Sequence, residues 1–198
     1  MKHGLQCRCG MLVGLVEVTG SESHCLCYCR DCQAFAHFLG DAAAILDERG
    51  GSEIVQTVPS SIEFTQGRDQ LACIRLTGKG LLRWYARCCN TPIANTPANY
   101  KLSFAGIVHS CLVGGRASVE NSFGPIDMCV HTRSARGRDR LAQKGVLKGI
   151  VAILRTLAVA RVTGRYRRTP FFAWRDGKPV VVPQVLSAER RTEIMRAL

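Results

Sequence analysis

Cys25-Leu26-Cys27-Tyr28-Cys29-Arg30-Asp31-Cys32 packs four thiols into one short stretch, and its reading decides how the rest of the chain is taken. Thiolates one or two residues apart can converge on a single soft cation, for which zinc is the usual occupant. The C-x-C-x-x-C spacing of Cys27, Cys29 and Cys32 can place three sulfurs around one metal. Three protein ligands and an open position are the arrangement of a catalytic zinc, where an incoming thiolate binds with its pKa lowered. Closure by Cys25, or by a distant Cys or His, would make the same site purely structural.

Outward from this stretch lie two smaller clusters. Cys7-Arg8-Cys9-Gly10 offers two thiolates from a tight segment, and Cys88-Cys89 precedes Asn90-Thr91-Pro92-Ile93. Neither pair completes a tetrahedral site alone. Together they predict a closed four-sulfur site tying the first strand to the end of the fourth, so that metal affinity becomes folding energy. The competing reading leaves one or both of Cys88 and Cys89 as buried apolar thiols, because adjacent side chains diverge. Cys73, Cys111 and Cys129 sit in apolar runs and read as core thiols. His24 and His109 read as core or surface histidines, with a place at or beside a metal as the alternative.

The 198 residues, 46% of them hydrophobic, fit one domain with an extension or two small ones. Met1 to Cys7 has no apolar signal segment, and no run of about eighteen apolar residues occurs. The expectation is a cytoplasmic chain whose reduced thiols favour metal over disulfides. Short strand-like runs at Met11–Val18, Ser61–Thr65, Leu71–Leu76, Leu81–Tyr85 and Ile107–Val113 are separated by glycine-rich turns, with Thr77-Gly78-Lys79-Gly80 as a hairpin. They predict a mainly β domain over 1–115, followed over 125–198 by a basic helical extension with a small hairpin.

In that extension a helix is predicted from Arg138 to Val162. Val146, Leu147, Ile150, Ile153, Leu154 and Leu157 share one face, and Lys144, Lys148 and Arg155 another. A third face of Gly145, Gly149, Ala152 and Thr156 suggests close approach of another backbone. Phe171-Phe172-Ala173-Trp174 and Val180-Val181-Val182 flank a turn at Arg175-Asp176-Gly177-Lys178, and Ser187 can cap a last helix. The formal charge of +12 is concentrated here. Residues 133–178 hold thirteen Lys or Arg against two Asp, or +11, which leaves about +1 elsewhere. Such a stretch suits packing on the β domain or on a second copy through the 138–162 helix, with nucleic acid or an anionic membrane surface as other partners. No G-x-S-x-G, phosphate-cradling loop or H-E-x-x-H is present, so those chemistries have no support.

Taken in order, Cys7-x-Cys9-Gly10, Cys27-x-Cys29-x-x-Cys32 and Cys89-Asn90-Thr91-Pro92-Ile93 resemble the glutathione-dependent formaldehyde-activating enzyme family, whose domain is shared with centromere protein V. The family pattern is C-x-C-G, C-H-C-x-x-C-R and C-x-x-C-G-T-P-[IL]. The resemblance covers about residues 5–113 and implies a zinc-stabilised β-tent, here with a C-terminal α-helical extension. It also implies a structural zinc on Cys7, Cys9 and the Cys88/Cys89 region, and a second zinc on Cys27, Cys29 and Cys32 where the adduct of formaldehyde and glutathione forms. Tyr28 stands for the usual His, Gln33 for Arg, Asn90 for Gly, and Ala86 for a Cys that Cys88 replaces two positions on. The chain therefore looks like a bacterial branch of this superfamily rather than the formaldehyde enzyme itself.

The expected function is carbon–sulfur lyase-like chemistry on a thiol–aldehyde adduct, with glutathione or a similar small thiol as partner. Cys27, Cys29 and Cys32 would be catalytic, Arg30 would hold a substrate carboxylate, and Asp31 would be the candidate base. The alternative is a non-catalytic zinc-stabilised module whose basic C-terminal region contacts a polyanion or a partner subunit.

Overall fold

In the computed structural model, which describes residues 1–198, strands outnumber helices. The first are β1 (Lys2–Gln6), β2 (Val13–Glu17) and β3 (Ser23–Cys27), followed by α1 (Arg30–Leu39) and the single turn α2 (Ala42–Ile45). Next come β4 (Ser52–Thr57), β5 (Ile62–Gln66), β6 (Leu71–Arg75), β7 (Leu82–Ala86), β8 (Thr91–Thr96) and β9 (Ala105–Val108). The chain ends with α3 (Gly115–Phe123), β10 (Met128–Val130), α4 (Val146–Val162), β11 (Gln184–Val185) and α5 (Ala188–Arg196).

A small antiparallel sheet has the order β1-β2-β5. A larger one has the order β10-β3-β4-β9-β8-β7-β6-β11, in which only the two edge strands run parallel to their neighbours. The sheet-rich architecture with a C-terminal helix agrees with the sequence. Side chains alternate between the faces of each strand. One face of the large sheet sends Val55, Trp84, Ala94 and Ile107 into a core shared with Leu5, Leu12, Val16 and Ile62 from the small sheet. Trp84 is wholly buried, and its indole N–H donates to Thr96 Oγ1 at 2.9 Å. The other face carries α1 and α5, where Phe35 and Leu39 pack with Ile74, Val108 and Ile194.

The residues after α3 are built into the same layers. β10 extends the large sheet beside β3, and Phe171 lies 5.0 Å from the Trp84 ring. The turn foreseen at Arg175–Lys178 forms, with the Ala173 N–H donating to the Lys178 carbonyl at 2.7 Å. Ser187 caps α5 by accepting from the Arg190 N–H at 3.2 Å. No helix is long and apolar enough to cross a membrane.

Two expectations need correction. The helix predicted from Arg138 begins at Val146, because Lys144 is drawn into a β-bridge with Cys129 and Gly145 takes φ +67. A Cβ on Gly145 would lie 2.1 Å from the Asp127 carbonyl oxygen, so the chain turns there and only then coils. Cys129 is half-buried rather than a core thiol, since β10 is an edge strand. The small-residue face of α4 does meet other groups closely: a Cβ on Gly149 would stand 2.2 Å from Met128 Sδ. Its apolar face divides: Val146, Ile153 and Leu157 are half-buried, while Ile150, Leu147 and Leu154 point outward, the last two 77% and 60% exposed.

Candidate metal centres

The first centre is assembled from two turns. Cys7 and Cys9 lie between β1 and β2, where Gly10 (φ +76) reverses the chain and donates its N–H to the Cys7 carbonyl at 2.9 Å. Cys88 and Cys89 lie in the β7–β8 turn, and the fold brings all four sulfurs within 4.8 Å of one another. Thiolates on a tetrahedral cation with ~2.3 Å bonds stand about 3.8 Å apart. The Sγ–Sγ separations are 3.6 Å for Cys7–Cys9, 3.8 Å for Cys7–Cys88, 3.4 Å for Cys9–Cys88 and 3.8 Å for Cys88–Cys89. Both adjacent cysteines therefore face the same point, and the group fits a four-coordinate ion.

Backbone and hydroxyl donors surround these sulfurs. The Leu12 N–H donates to Cys7 Sγ at 3.2 Å, and Thr91 Oγ1 lies 3.0 Å from Cys89 Sγ. Burial raises the Cys89 thiol, yet the Thr91 hydroxyl and the backbone N–H groups of Cys9 and Thr91 outweigh it and hold it at about 6. Burial pushes Cys7 up. The turns are laced together beyond the sulfurs as well: the Arg8 N–H donates to Thr91 Oγ1 at 3.0 Å and the Arg8 guanidinium to the Cys89 carbonyl at 3.0 Å.

The second centre is local. Cys27 ends β3, Cys29 caps α1 by accepting the Cys32 N–H at 3.3 Å, and Cys32 sits in the first helical turn. Their sulfurs lie within 4.8 Å of one another, with Cys27–Cys32 at 3.9 Å. The positive end of the helix favours thiolates here. Hydrogen bonding from Cys27 and Cys29, reinforced by the Arg83 guanidinium, holds the Cys32 thiol well below its ordinary value. Cys27 is pushed well up by its thiol neighbours.

No fourth Cys, His, Asp or Glu joins this group. Cys25 is on the same face of β3 but two residues back, where burial pushes its thiol up to about 12. Asp31 is exposed on the helix, with its Oδ2 3.9 Å from Arg83 Nη2. Arg30 is exposed at the rim and donates to the Met195 carbonyl at 3.2 Å, tying α1 to α5. Tyr28 is buried and donates to Asp47 Oδ2 at 2.8 Å. Gln33 spends its amide on the Tyr28 and Ser134 carbonyls, both at 2.9 Å.

His24 faces away from Cys25 and Cys27, on the other side of β3. Its ring lies 2.9 Å from Glu53 and 2.7 Å from the Gly124 carbonyl, and Arg116 closes on the other Glu53 oxygen at 2.9 Å. His109 neighbours this buried group and is held below its usual pKa by burial. Neither histidine joins a cysteine group.

A cavity of about 400 Å³ opens beside the three-sulfur group, lined by Arg83, Asn95, Gln56 and Gly106 among others. The sequence reading did not single out these four. The one available signal was a charge, Arg83, inside the apolar run Leu81-Leu82-Arg83-Trp84-Tyr85.

Residues 2–183 match DUF6151, described as a family of unknown function, and the chain belongs to that family. No curated protein matches it. Among solved structures, a Rhodobacter sphaeroides protein, a Northeast Structural Genomics target, superposes with a TM-score of 0.41 at 18% identity, covering 59% of this chain and 91% of that one.

Proposed function

We propose that this member of the DUF6151 family holds two zinc ions and uses one of them in carbon–sulfur lyase-like chemistry. Cys7, Cys9, Cys88 and Cys89 would hold the closed, structural ion, and Cys27, Cys29 and Cys32 the open one. The observation that carries the reading is the asymmetry between four sulfurs that complete a tetrahedron and three that stop short beside a cavity. All-sulfur donor sets favour zinc among the common divalent ions, and a reducing cytoplasm would keep such thiols available.

A zinc ion on three sulfurs supplies a place for a soft donor and lowers the pKa of a thiol bound there. The residues provide the rest. α1 presents Cys29 and Cys32 from its positive end, and the cavity leaves room for a small thiol such as glutathione. The thiol sulfur bonds to the carbonyl carbon of an aldehyde, and the thiol proton ends on the former carbonyl oxygen; the lyase direction reverses both steps. Asp31, which lines the cavity, would carry that proton. The resemblance to the formaldehyde-activating family lends support at Asn90. It stands for the family's glycine and has φ +54, the left-handed conformation that asparagine adopts more readily than most residues.

Metal content per chain, measured by mass spectrometry on the wild type and on Cys29→Ser, tests this reading. Two zincs falling to one with the fold intact is the expected result; a single zinc unaffected by the substitution overturns it. A second reading is favoured by α4, whose outward apolar residues stand next to Lys148 and Arg155. It is a non-catalytic zinc-stabilised module that meets a polyanion, an anionic membrane surface or a second copy through its basic C-terminal region. Steep loss of polyanion binding with salt would favour it.

A further inference from the structure

Four residues of the cavity form one row across the large sheet. Gln56 of β4 pairs with Gly106 of β9, Gly106 with Asn95 of β8, and Asn95 with Arg83 of β7. Residues opposite one another on adjacent strands share a face, so these side chains all project toward the three-sulfur group rather than into the core beneath Trp84. Gly106, in the middle of the row, has no side chain to fill the floor, and a Cβ there would press on Ile54 Cγ2 at 2.9 Å. The result is a polar trough beside the three-sulfur group.

Two groups in the trough have hydrogen-bonding capacity left over. Arg83 is 3% exposed, yet the nearest carboxylate oxygen paired with it, Asp31 Oδ2, stands 3.9 Å from Nη2, beyond hydrogen-bonding distance. Its Nη1 donates to Asn95 Oδ1 at 3.1 Å, and Phe35 lies under the guanidinium at 5.5 Å. Gln56 Oε1 is buried with no hydrogen-bond donor. A buried guanidinium is costly unless an anion completes it, and a buried carbonyl oxygen is costly without a donor. Arg83 Nη1 is also 3.9 Å from Cys32 Sγ, so an anion seated on the guanidinium would lie beside the sulfur centre.

We propose that the row Gln56–Gly106–Asn95–Arg83 is a receptor for the carboxylate end of a small thiol whose sulfur reaches the Cys27, Cys29 and Cys32 centre. The proposal rests on the open-site reading above and names its ligand class: a compact thiol with a carboxylate for the Arg83 fork and an N–H or O–H for Gln56 Oε1. Planar guanidinium recognises carboxylate through two parallel hydrogen bonds, which lysine cannot reproduce.

The test uses the full chain loaded with cobalt(II), with thiol binding read from the thiolate-to-cobalt absorption and from calorimetry. Two probes of similar size, 3-mercaptopropionate and 2-mercaptoethanol, differ in the carboxylate. The expected result is that 3-mercaptopropionate binds about tenfold or more tightly, and that Arg83→Lys, with cobalt content unchanged, brings the ratio close to one. Equal binding of both thiols to the wild type overturns the receptor and leaves the open metal site standing. A cobalt spectrum that no thiol alters overturns the open site itself. If Arg83→Gln loses cobalt while Arg83→Lys keeps both cobalt and the carboxylate preference, Arg83 serves to balance the thiolates' charge, and the receptor assignment fails.

Discussion

The two cysteine groups put the same side chain in opposite surroundings. The four-sulfur group bridges two turns, one between strands of the small sheet and one between strands of the large sheet, and backbone N–H groups and Thr91 finish its surroundings. The three-sulfur group lies at a strand end and a helix start, stops one donor short, and borders a trough with a buried arginine. Ligand count and neighbourhood, not residue type, separate a clip from a candidate binding centre.

The sharpest way to break this contrast is to remove one sulfur from each group. Cys7→Ser should cost at least about 5 kcal/mol, because closed metal sites contribute their affinity to folding, and should lower Tm by about 10 °C or more. Cys32→Ser should cost under about 2 kcal/mol by the same thermal denaturation. Equal losses would make both groups structural. The next effect belongs to neither centre. His24, and then Arg116, hold the Glu53 carboxyl down at about 2, against a usual value near 4.5. Its contribution of about 3 kcal/mol is complete above roughly pH 4.5 and lost as pH falls toward 2. Glu53→Gln should remove that acid-dependent step in denaturation curves and leave metal content unchanged, which gives a metal-free reference for the two cysteine variants.

A smaller effect separates the centres by location. Met128 packs with Cys25, Cys27 and Cys32 and lies directly against Gly149. Gly149→Leu should cost about 1–3 kcal/mol by overpacking and should lower metal occupancy at the three-sulfur group alone. Loss from both groups would mean that they respond as one unit. Smallest of all, Arg30→Ala removes a rim hydrogen bond and should change stability by less than about 0.5 kcal/mol. Thiol affinity should also hold; a tenfold fall would move carboxylate recognition from Arg83 out to the rim.

Both clusters were legible before the fold because cysteine spacing is local information, and the union of Cys7 and Cys9 with Cys88 and Cys89 followed from the need for four ligands. The runs that became β2, β5, β6 and β7 were visible through their β-branched and aromatic residues. β1, Lys2-His3-Gly4-Leu5-Gln6, has none of these, and most of β3, Ser23-His24-Cys25-Leu26-Cys27, is cysteine and histidine. β8 contains Pro92, tolerated where the β7–β8 register shifts between Trp84 and Tyr85. The start of α4 was hidden because Lys144 is claimed by a partner distant in sequence, Cys129. The polar trough was out of reach for a related reason. Alternation tells which face Arg83 takes, but only the register of four strands reveals that Asn95, Gly106 and Gln56 stand beside it.

The sequence separations of the two groups also order their assembly in time. Cys27 and Cys32 are five positions apart and meet as soon as the first turn of α1 winds, so that group exists early on a growing chain. Cys7 and Cys88 are 81 positions apart and meet only after β7 has been made and aligned. About 88 residues must therefore be made before the four sulfurs can meet, and until then the early thiols are the candidate metal ligands that the growing chain can offer.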